Sequence, residues 1–361
     1  MYLKQKLRVI FKSMVIKILM FLYKLFNLFK KKKEFNLENI NKVIILHKKP
    51  LGLGDMVMLS PLYLLIIKHI KKDIYIVSDY DKFLDFETAI WKKPSEVDNS
   101  FFKNSLVISP TLTLPHLKYM LHAKYYIGYF ISNKLLCNFS NIIYSYDAVN
   151  EHYLEKVFII LDILNIQYDN NNFEYAKVIT KEVELPNNYI VIAPYANWEE
   201  KQYSVANYLL LIDKLLVLSN NYNIVLIGSS NLQELIFNNL IYNSISSDRL
   251  FNYTGKTSII ETNFIIQNSK ITICNDSGPA NISYITSPKT LVFFGAVNVQ
   301  SILPKNDILK NNISVFTNNA ECTKYPCYDG YNKPHCYNKE KFSCLNVSVS
   351  EKDLIKILEN D

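Results

Sequence analysis

Aspartate and glutamate are missing from the first 33 residues, which hold ten lysines or arginines (Lys4, Lys6, Arg8, Lys12, Lys17, Lys24 and Lys30 to Lys33). The remaining 328 residues carry 30 basic against 33 acidic side chains, a net charge of −3, so the +7 of the whole chain lies entirely in this leader. A nucleic-acid-binding body, which the overall pI of 8.8 would suggest, loses its support. Long apolar runs are missing too. The longest uncharged stretch of the leader, Ile18 to Tyr23, is six residues, against roughly 20 for a bilayer-spanning helix. The uninterrupted apolar core and small-residue cleavage site of a signal peptide are also lacking. On a helical wheel Lys6, Lys17, Lys24 and Lys31 share one narrow arc, while Leu7, Met14, Ile18, Phe21, Leu25, Leu28 and Phe29 gather on another. Residues 1–33 therefore read as a basic amphipathic segment suited to an anionic membrane surface. A helix packed on the protein's own body is the plainer alternative.

What is present suggests two ordinary domains. A chain of 361 residues with 49% hydrophobic and 20% charged residues can bury two cores and is not disordered. The first α/β series starts at Lys42: a strand over 43–46, a loop over 47–54, and a helix over about 55–70. Gly52 and Gly54 let that loop bend tightly, and Asp55 sits at the helix start, where an ionised carboxylate is favoured. By itself Asp55 could be no more than a helix cap. Strands are expected over 74–77, 106–109, 125–128 and 142–144, and a helix over 151–164 from the spacing of Leu154, Val157, Phe158, Leu161 and Leu164. The polar, Asn-rich stretch 166–188, ending at Pro186, reads as a linker.

A second α/β series begins with a strand over 189–194 and the loop Ala196-Asn197-Trp198-Glu199-Glu200-Lys201. A helix over 205–219, a strand over 224–227 and a helix over 259–267 follow. Next come a strand over 270–274, the turn Asn275-Asp276-Ser277-Gly278-Pro279, a helix over 280–285, and a strand over 290–294 closed by Gly295. Asp, Ser and Pro are helix-starting residues whose side-chain oxygens cap free N–H groups, and Gly278 leaves room for a ligand at the backbone. A helix start at the carboxyl end of a parallel strand is an anion site. A well-capped strand-to-helix turn is the bland reading. The fold class expected is α/β, with two Rossmann-like domains facing each other across a cleft: 42–165, then the 166–188 linker, then 189–361.

Four segments in order resemble the heptosyltransferase family (glycosyltransferase family 9, of the two-domain GT-B type). They are Leu53-Gly54-Asp55 with Ser60-Pro61; Ala193-Pro194 through Trp198 and Lys201; Thr254-Gly255-Lys256-Thr257-Ser258; and Asn275-Asp276-Ser277-Gly278-Pro279 with Phe294-Gly295. The resemblance implies an inverting transfer of heptose or a related sugar from a nucleotide-diphosphate sugar, ADP-heptose being one candidate. The acceptor would be lipopolysaccharide or another lipid-linked glycan at the inner face of the cytoplasmic membrane, with no cofactor or metal required. The first domain would bind this acceptor and the second the donor. It implies Asp55 as the base, Gly52 and Gly54 as the acceptor-side loop, and Asn197, Lys201, Asp276, Ser277 and Gly278 as donor-binding groups. Such chemistry needs a base for the acceptor hydroxyl and positive or N–H groups for the departing diphosphate. Asn281 stands where the family usually has His, and Ala193-Pro194-Tyr195 where it has His-Pro-Gly, so donor identity is the loosest inference. A nucleotide-sugar epimerase of the same fold and a catalytically silent nucleotide-sugar or glycan binder are the alternatives.

Of six cysteines, Cys137 and Cys274 are expected in the core. Cys322, Cys327, Cys336 and Cys344 cluster near the C-terminus beside His335, a group the family often carries. Four thiolates could hold zinc, but the usual C-x2-C pairs are lacking, so zinc is the minor reading. A capped helix is expected over 350–358.

Overall fold

The computed structural model describes residues 35–49, 51–110, 117–129, 134–139, 144–145, 147, 149–169, 173–219, 221–318, 322, 324–328 and 334–359. The leader and its expected amphipathic helix lie outside the described residues. Backbone contacts divide the chain into two units: 1–50, 71–79 and 89–146 form the first, and 51–70, 80–88 and 147–361 the second.

The first unit is a seven-stranded sheet. Its strands are β1 (Lys42–His47), β2 (Asp73–Ser78), β3 (Ile90–Lys92), β4 (Ser105–Ser109), β5 (Tyr125–Tyr129), β6 (Lys134–Cys137) and β7 (Tyr144–Ser145), in the order β3-β2-β1-β4-β5-β6-β7. The first five run parallel, and β6 and β7 are antiparallel additions at the edge. Val43 to Leu46 and Leu106 to Ile108 are fully buried, as expected of central parallel strands covered on both faces. Residues 142–143 of the strand expected over 142–144 lie outside the described residues, and Tyr144 falls in β7. The sequence gives little sign of β3, which is three residues long with none buried.

The second unit holds a six-stranded parallel sheet, β10-β9-β8-β11-β12-β13. Its members are β8 (Tyr189–Ala193), β9 (Asn223–Leu226), β10 (Leu250–Asn252), β11 (Thr272–Asn275), β12 (Thr290–Phe293) and β13 (Ile313–Phe316). Every residue of β8, β11 and β12 is buried. In chain order the helices that matter below are α1 (Leu53–His69), α2 (Leu117–His122, in the first unit), α3 (Glu155–Ile163), α4 (Val205–Leu218), α5 (Leu232–Ser244), α6 (Ile259–Gln267) and α7 (Gly278–Thr286). The closing helix, Glu351–Glu359, is capped by Ser350, whose Oγ accepts the Asp353 N–H.

Two features differ from the expected domain plan. Helix α1 follows β1 in sequence but belongs with the second unit, because it packs on α3 and α7. The stretch expected as linker is partly built in. Asp85 N–H donates to Lys177 O and Ile179 N–H to Phe83 O, and Phe173, Tyr175 and Ala176 are buried. A polar, Asn-rich composition concealed these buried aromatics.

Candidate active site

The loop after β8 is pinned before it presents anything. Gln202 accepts the Ala196 N–H at 2.5 Å and donates to Pro194 O at 2.6 Å. Asn275, fully buried, accepts the Tyr203 N–H at 3.0 Å and donates to Pro194 O at 2.8 Å. The side chain that opens the Asn-Asp-Ser-Gly-Pro turn is thus a strut for the neighbouring loop. Gly295 completes the arrangement. A Cβ there would collide with the carbonyl of Glu200, which accepts the Ala296 N–H at 3.1 Å, so only glycine allows β12 to close on this loop.

The loop delivers Lys201 to Asp276. The ammonium lies 2.7 Å from Asp276 Oδ2, with the two side chains only 18% and 6% exposed. The approach is off the hydrogen-bonding direction, so the contact is an ion pair without an aligned hydrogen bond. Trp198 and Tyr328 place ring faces 4.9 and 5.9 Å from the same ammonium, adding cation–π attraction. Asp276 is held in turn by its backbone N–H, which donates to Phe293 O at 3.1 Å. Asn197 is exposed on the same loop.

Helix α7 begins immediately beyond Asp276. The side-chain cap expected from Ser277 does not form. Its Oγ instead donates to Asn275 O at 3.1 Å, and the backbone is extended (φ −152°, ψ −177°). Pro279 has no N–H to satisfy. The free first-turn amides of α7 therefore stand uncapped at the positive end of a nine-residue helix.

Helix α1 meets this turn directly. A Cβ on Gly54 would run into Asn281 Nδ2 and lie 3.2 Å from Gly278 Cα. Glycine at 54 is therefore required by close approach. The tight bend expected there is not what the backbone shows: the positive-φ glycine among the described residues is Gly255, and Gly52 is extended at φ −91°, ψ −179°. Asn281 donates to Ser277 O at 3.3 Å, and its Oδ1 is buried without a hydrogen-bond partner.

Asp55, at the third position of α1, reaches back so that Oδ2 accepts the Gly52 N–H at 2.7 Å. Its Oδ1 accepts the Tyr153 hydroxyl at 2.8 Å. Eight residues along, burial and then the charge of Asp55 push the Tyr63 phenol well above its usual range. The structure thus gathers Gly52, Gly54, Asp55, Asn197, Lys201, Asp276, Ser277 and Gly278 within the second unit. Sequence reasoning missed Tyr153, Gln202 and the strut role of Asn275. Tyr153 is one of 26 tyrosines and precedes its helix, so no periodicity marks it.

Residues 162–331 match the family model described as glycosyltransferase family 9 (heptosyltransferase). No curated protein matches the chain. Among solved structures, it resembles the Escherichia coli ADP-heptose lps heptosyltransferase II, at 14% identity and a TM-score of 0.62, covering 88% of this chain and 97% of that one. The family 9 glycosyltransferase of Veillonella parvula DSM 2008 superposes with a TM-score of 0.62 at 15% identity, over 91% of this chain and 98% of that one. The dodecameric iron-containing heptosyltransferase TibC, from enterotoxigenic E. coli, is known in complex with ADP-D-beta-D-heptose. It gives a TM-score of 0.58 at 13% identity, over 90% of this chain and 77% of that one. The chain thus has a GT-B-type α/β fold built on two predominantly parallel sheets.

Cys322, Cys327, Cys336 and Cys344 are free thiols that, with Glu200, line one small cavity with room for about one water molecule. Cys336 Sγ accepts the Phe342 N–H. Burial first, and then the neighbouring cysteines, push the Cys327 and Cys344 thiols up to about 11. Among the described residues no group of three or more His, Cys, Asp or Glu is arranged to hold a metal ion. Cys137 and Cys274 are buried, as expected of core thiols. Among the described residues no helix is long and apolar enough to cross a membrane.

Proposed function

We propose that the protein is an inverting glycosyltransferase that moves heptose or a related sugar from a nucleotide-diphosphate sugar, such as ADP-heptose, to a lipopolysaccharide-type or other lipid-linked acceptor. The observation that carries the reading is the contact between two helix starts. Gly54 lets the turn bearing Asp55 close against the uncapped turn of α7, beside the Lys201–Asp276 pair. One turn offers a carboxylate to take a proton and the other offers amides to hold an anion.

The steps follow from those groups. Asp55 takes the proton of the acceptor hydroxyl as its oxygen attacks the anomeric carbon. The bond from that carbon to the diphosphate oxygen breaks on the opposite face, which inverts the centre. Charge growing on the diphosphate meets the amides at the start of α7 and the Lys201 ammonium. The Lys201–Asp276 pair is neutral as a unit, so it orients the diphosphate more than it attracts it, and the helix start supplies much of the attraction. Asn197 and Ser277 add neutral hydrogen bonds. No cofactor is assigned to these steps. Residues 1–33 would hold the enzyme on the anionic inner face of the cytoplasmic membrane, where a lipid-linked acceptor lies.

The test uses ADP-heptose and a truncated lipopolysaccharide presented on anionic vesicles. Asp55→Asn should lower transfer on the order of 10²–10⁴-fold, the range for a lost general base, while leaving the fold intact. Deletion of residues 1–33 should release the protein from the vesicles. Transfer by Asp55→Asn at the wild-type rate would sink the mechanism. Interconversion of the donor sugar without acceptor would mark an epimerase, and absence of turnover with every nucleotide sugar would mark a binding protein.

A further inference from the structure

The segment that enters α3 is strapped to the loop beyond β12 at several points. Asn298 donates to Val149 O at 3.1 Å, Tyr153 N–H donates to Ser301 O at 2.8 Å, and Lys305 pairs with Glu155. His152 joins them. Its Nε2 donates to Leu303 O at 2.6 Å while its Nδ1 accepts the Leu154 N–H at 3.1 Å, which fixes a neutral tautomer. Burial favours that neutral ring by lowering the imidazole below its usual range. The outcome of this strapping is the placement of one group, the Tyr153 hydroxyl, 2.8 Å from Asp55 Oδ1.

We infer that Tyr153 is a positioning residue for the reaction proposed above: its hydroxyl and the Gly52 amide grip the two oxygens of Asp55 and fix the carboxylate's rotamer. The inference rests on that reading of Asp55 as the base. A carboxylate has about four lone-pair sites, so two remain for the acceptor hydroxyl after both grips are made. With each oxygen already directed, those free lone pairs point in one defined direction. A carboxylate held only by its own helix start would swing about its χ angles and lose part of the benefit of orientation.

The charged side chains described on α3 have partners of their own, and α7 has none. Helix α7 carries no charged residue. On α3, Glu155 pairs with Lys305 and Asp162 accepts the Tyr168 hydroxyl. On α1 itself the other titratable neighbour is Tyr63, whose buried phenol senses the Asp55 charge, while Lys68 and His69 lie at the far end of the helix.

Tyr153→Phe tests the inference, because it removes the hydroxyl and keeps the ring and every backbone strap. The three-bond side-chain couplings of Asp55, which should report a single rotamer in the parent protein, should average over rotamers in Tyr153→Phe. In the ADP-heptose transfer assay, kcat should fall about 3- to 10-fold with an unchanged KM for donor. In the Asp55→Asn background, Tyr153→Phe should change nothing further. If Asp55→Asn keeps full transfer, the base assignment fails, and the Asp55 couplings still decide whether Tyr153 grips the carboxylate. If Asp55→Asn is inactive but Tyr153→Phe leaves the couplings and kcat unchanged, the inference about Tyr153 is overturned and the base assignment stands.

Discussion

Among the helices of the second unit that open on serine, α6 and α7 use it in opposite ways. Ser258 caps α6: its Oγ accepts the Glu261 N–H at 3.4 Å, and Glu261 reaches back to the Ser258 N–H at 2.8 Å, a complete capping box. Ser277 turns its hydroxyl back to Asn275 O and leaves the start of α7 without a side-chain cap. The backbone explains the divergence, because Ser277 has φ −152° where Ser258 has φ −71°. Each start also has an ion pair nearby. Lys181–Glu261 is open to solvent, with Lys181 64% exposed, whereas Lys201–Asp276 is 18% and 6% exposed. The contrast teaches how one local motif serves two ends. The α6 start is satisfied within the chain; the α7 start leaves its amides uncapped beside a largely buried ion pair.

The largest effect should come from breaking the dry pair. Lys201→Ala strands the Asp276 carboxylate among buried neighbours and should cost up to about 3–5 kcal/mol in urea denaturation, the range for a buried pair missing one partner. Adding Asp276→Asn should recover much of that loss. Lys181→Ala, at the exposed pair, should cost less than about 1 kcal/mol. Equal costs at the two helices would remove the distinction between them.

The serines themselves sharpen the comparison at smaller scale. Ser258→Ala should destabilise the protein by about 1 kcal/mol through the lost cap. Ser277→Ala should stay within about 0.5 kcal/mol, because no first-turn N–H depends on its side chain. Its effect should fall on ligand binding instead, weakening ADP about 2- to 10-fold as measured by calorimetry. A full cap-sized loss of stability at Ser277 would mean that it caps α7 after all.

How much of this could be read from the sequence differs between the two ends. Both serine-led helix starts lie in segments that signal themselves, and α6 appears at the expected residues. That Ser277 would decline to cap was not legible, since a preference for serine at helix starts says nothing about which way its hydroxyl turns. Asp55, Lys201 and Asp276 were legible through the ordered motifs. Their grouping within one unit was not, because α1 follows β1 in sequence and its packing on α3 and α7 is a tertiary matter. Helix α5 escaped notice for a related reason. Leu232, Ile236 and Leu240 are all exposed, and buried Asn238 donates to Ile227 O and to Thr254, so apolar periodicity misleads there. Tyr153 depends on a strap between distant segments that local pattern cannot encode.

The central claim is that the uncapped start of α7 holds the donor's phosphates while the capped start of α6 does not. Amide resonances recorded while ADP is titrated into the full-length protein test it most directly. The account predicts saturable shifts at Ser277, Gly278 and Ala280, with Ser258 to Glu261 unmoved. Binding of ADP that shifts the α6 amides, or that leaves the α7 amides in place, would contradict it.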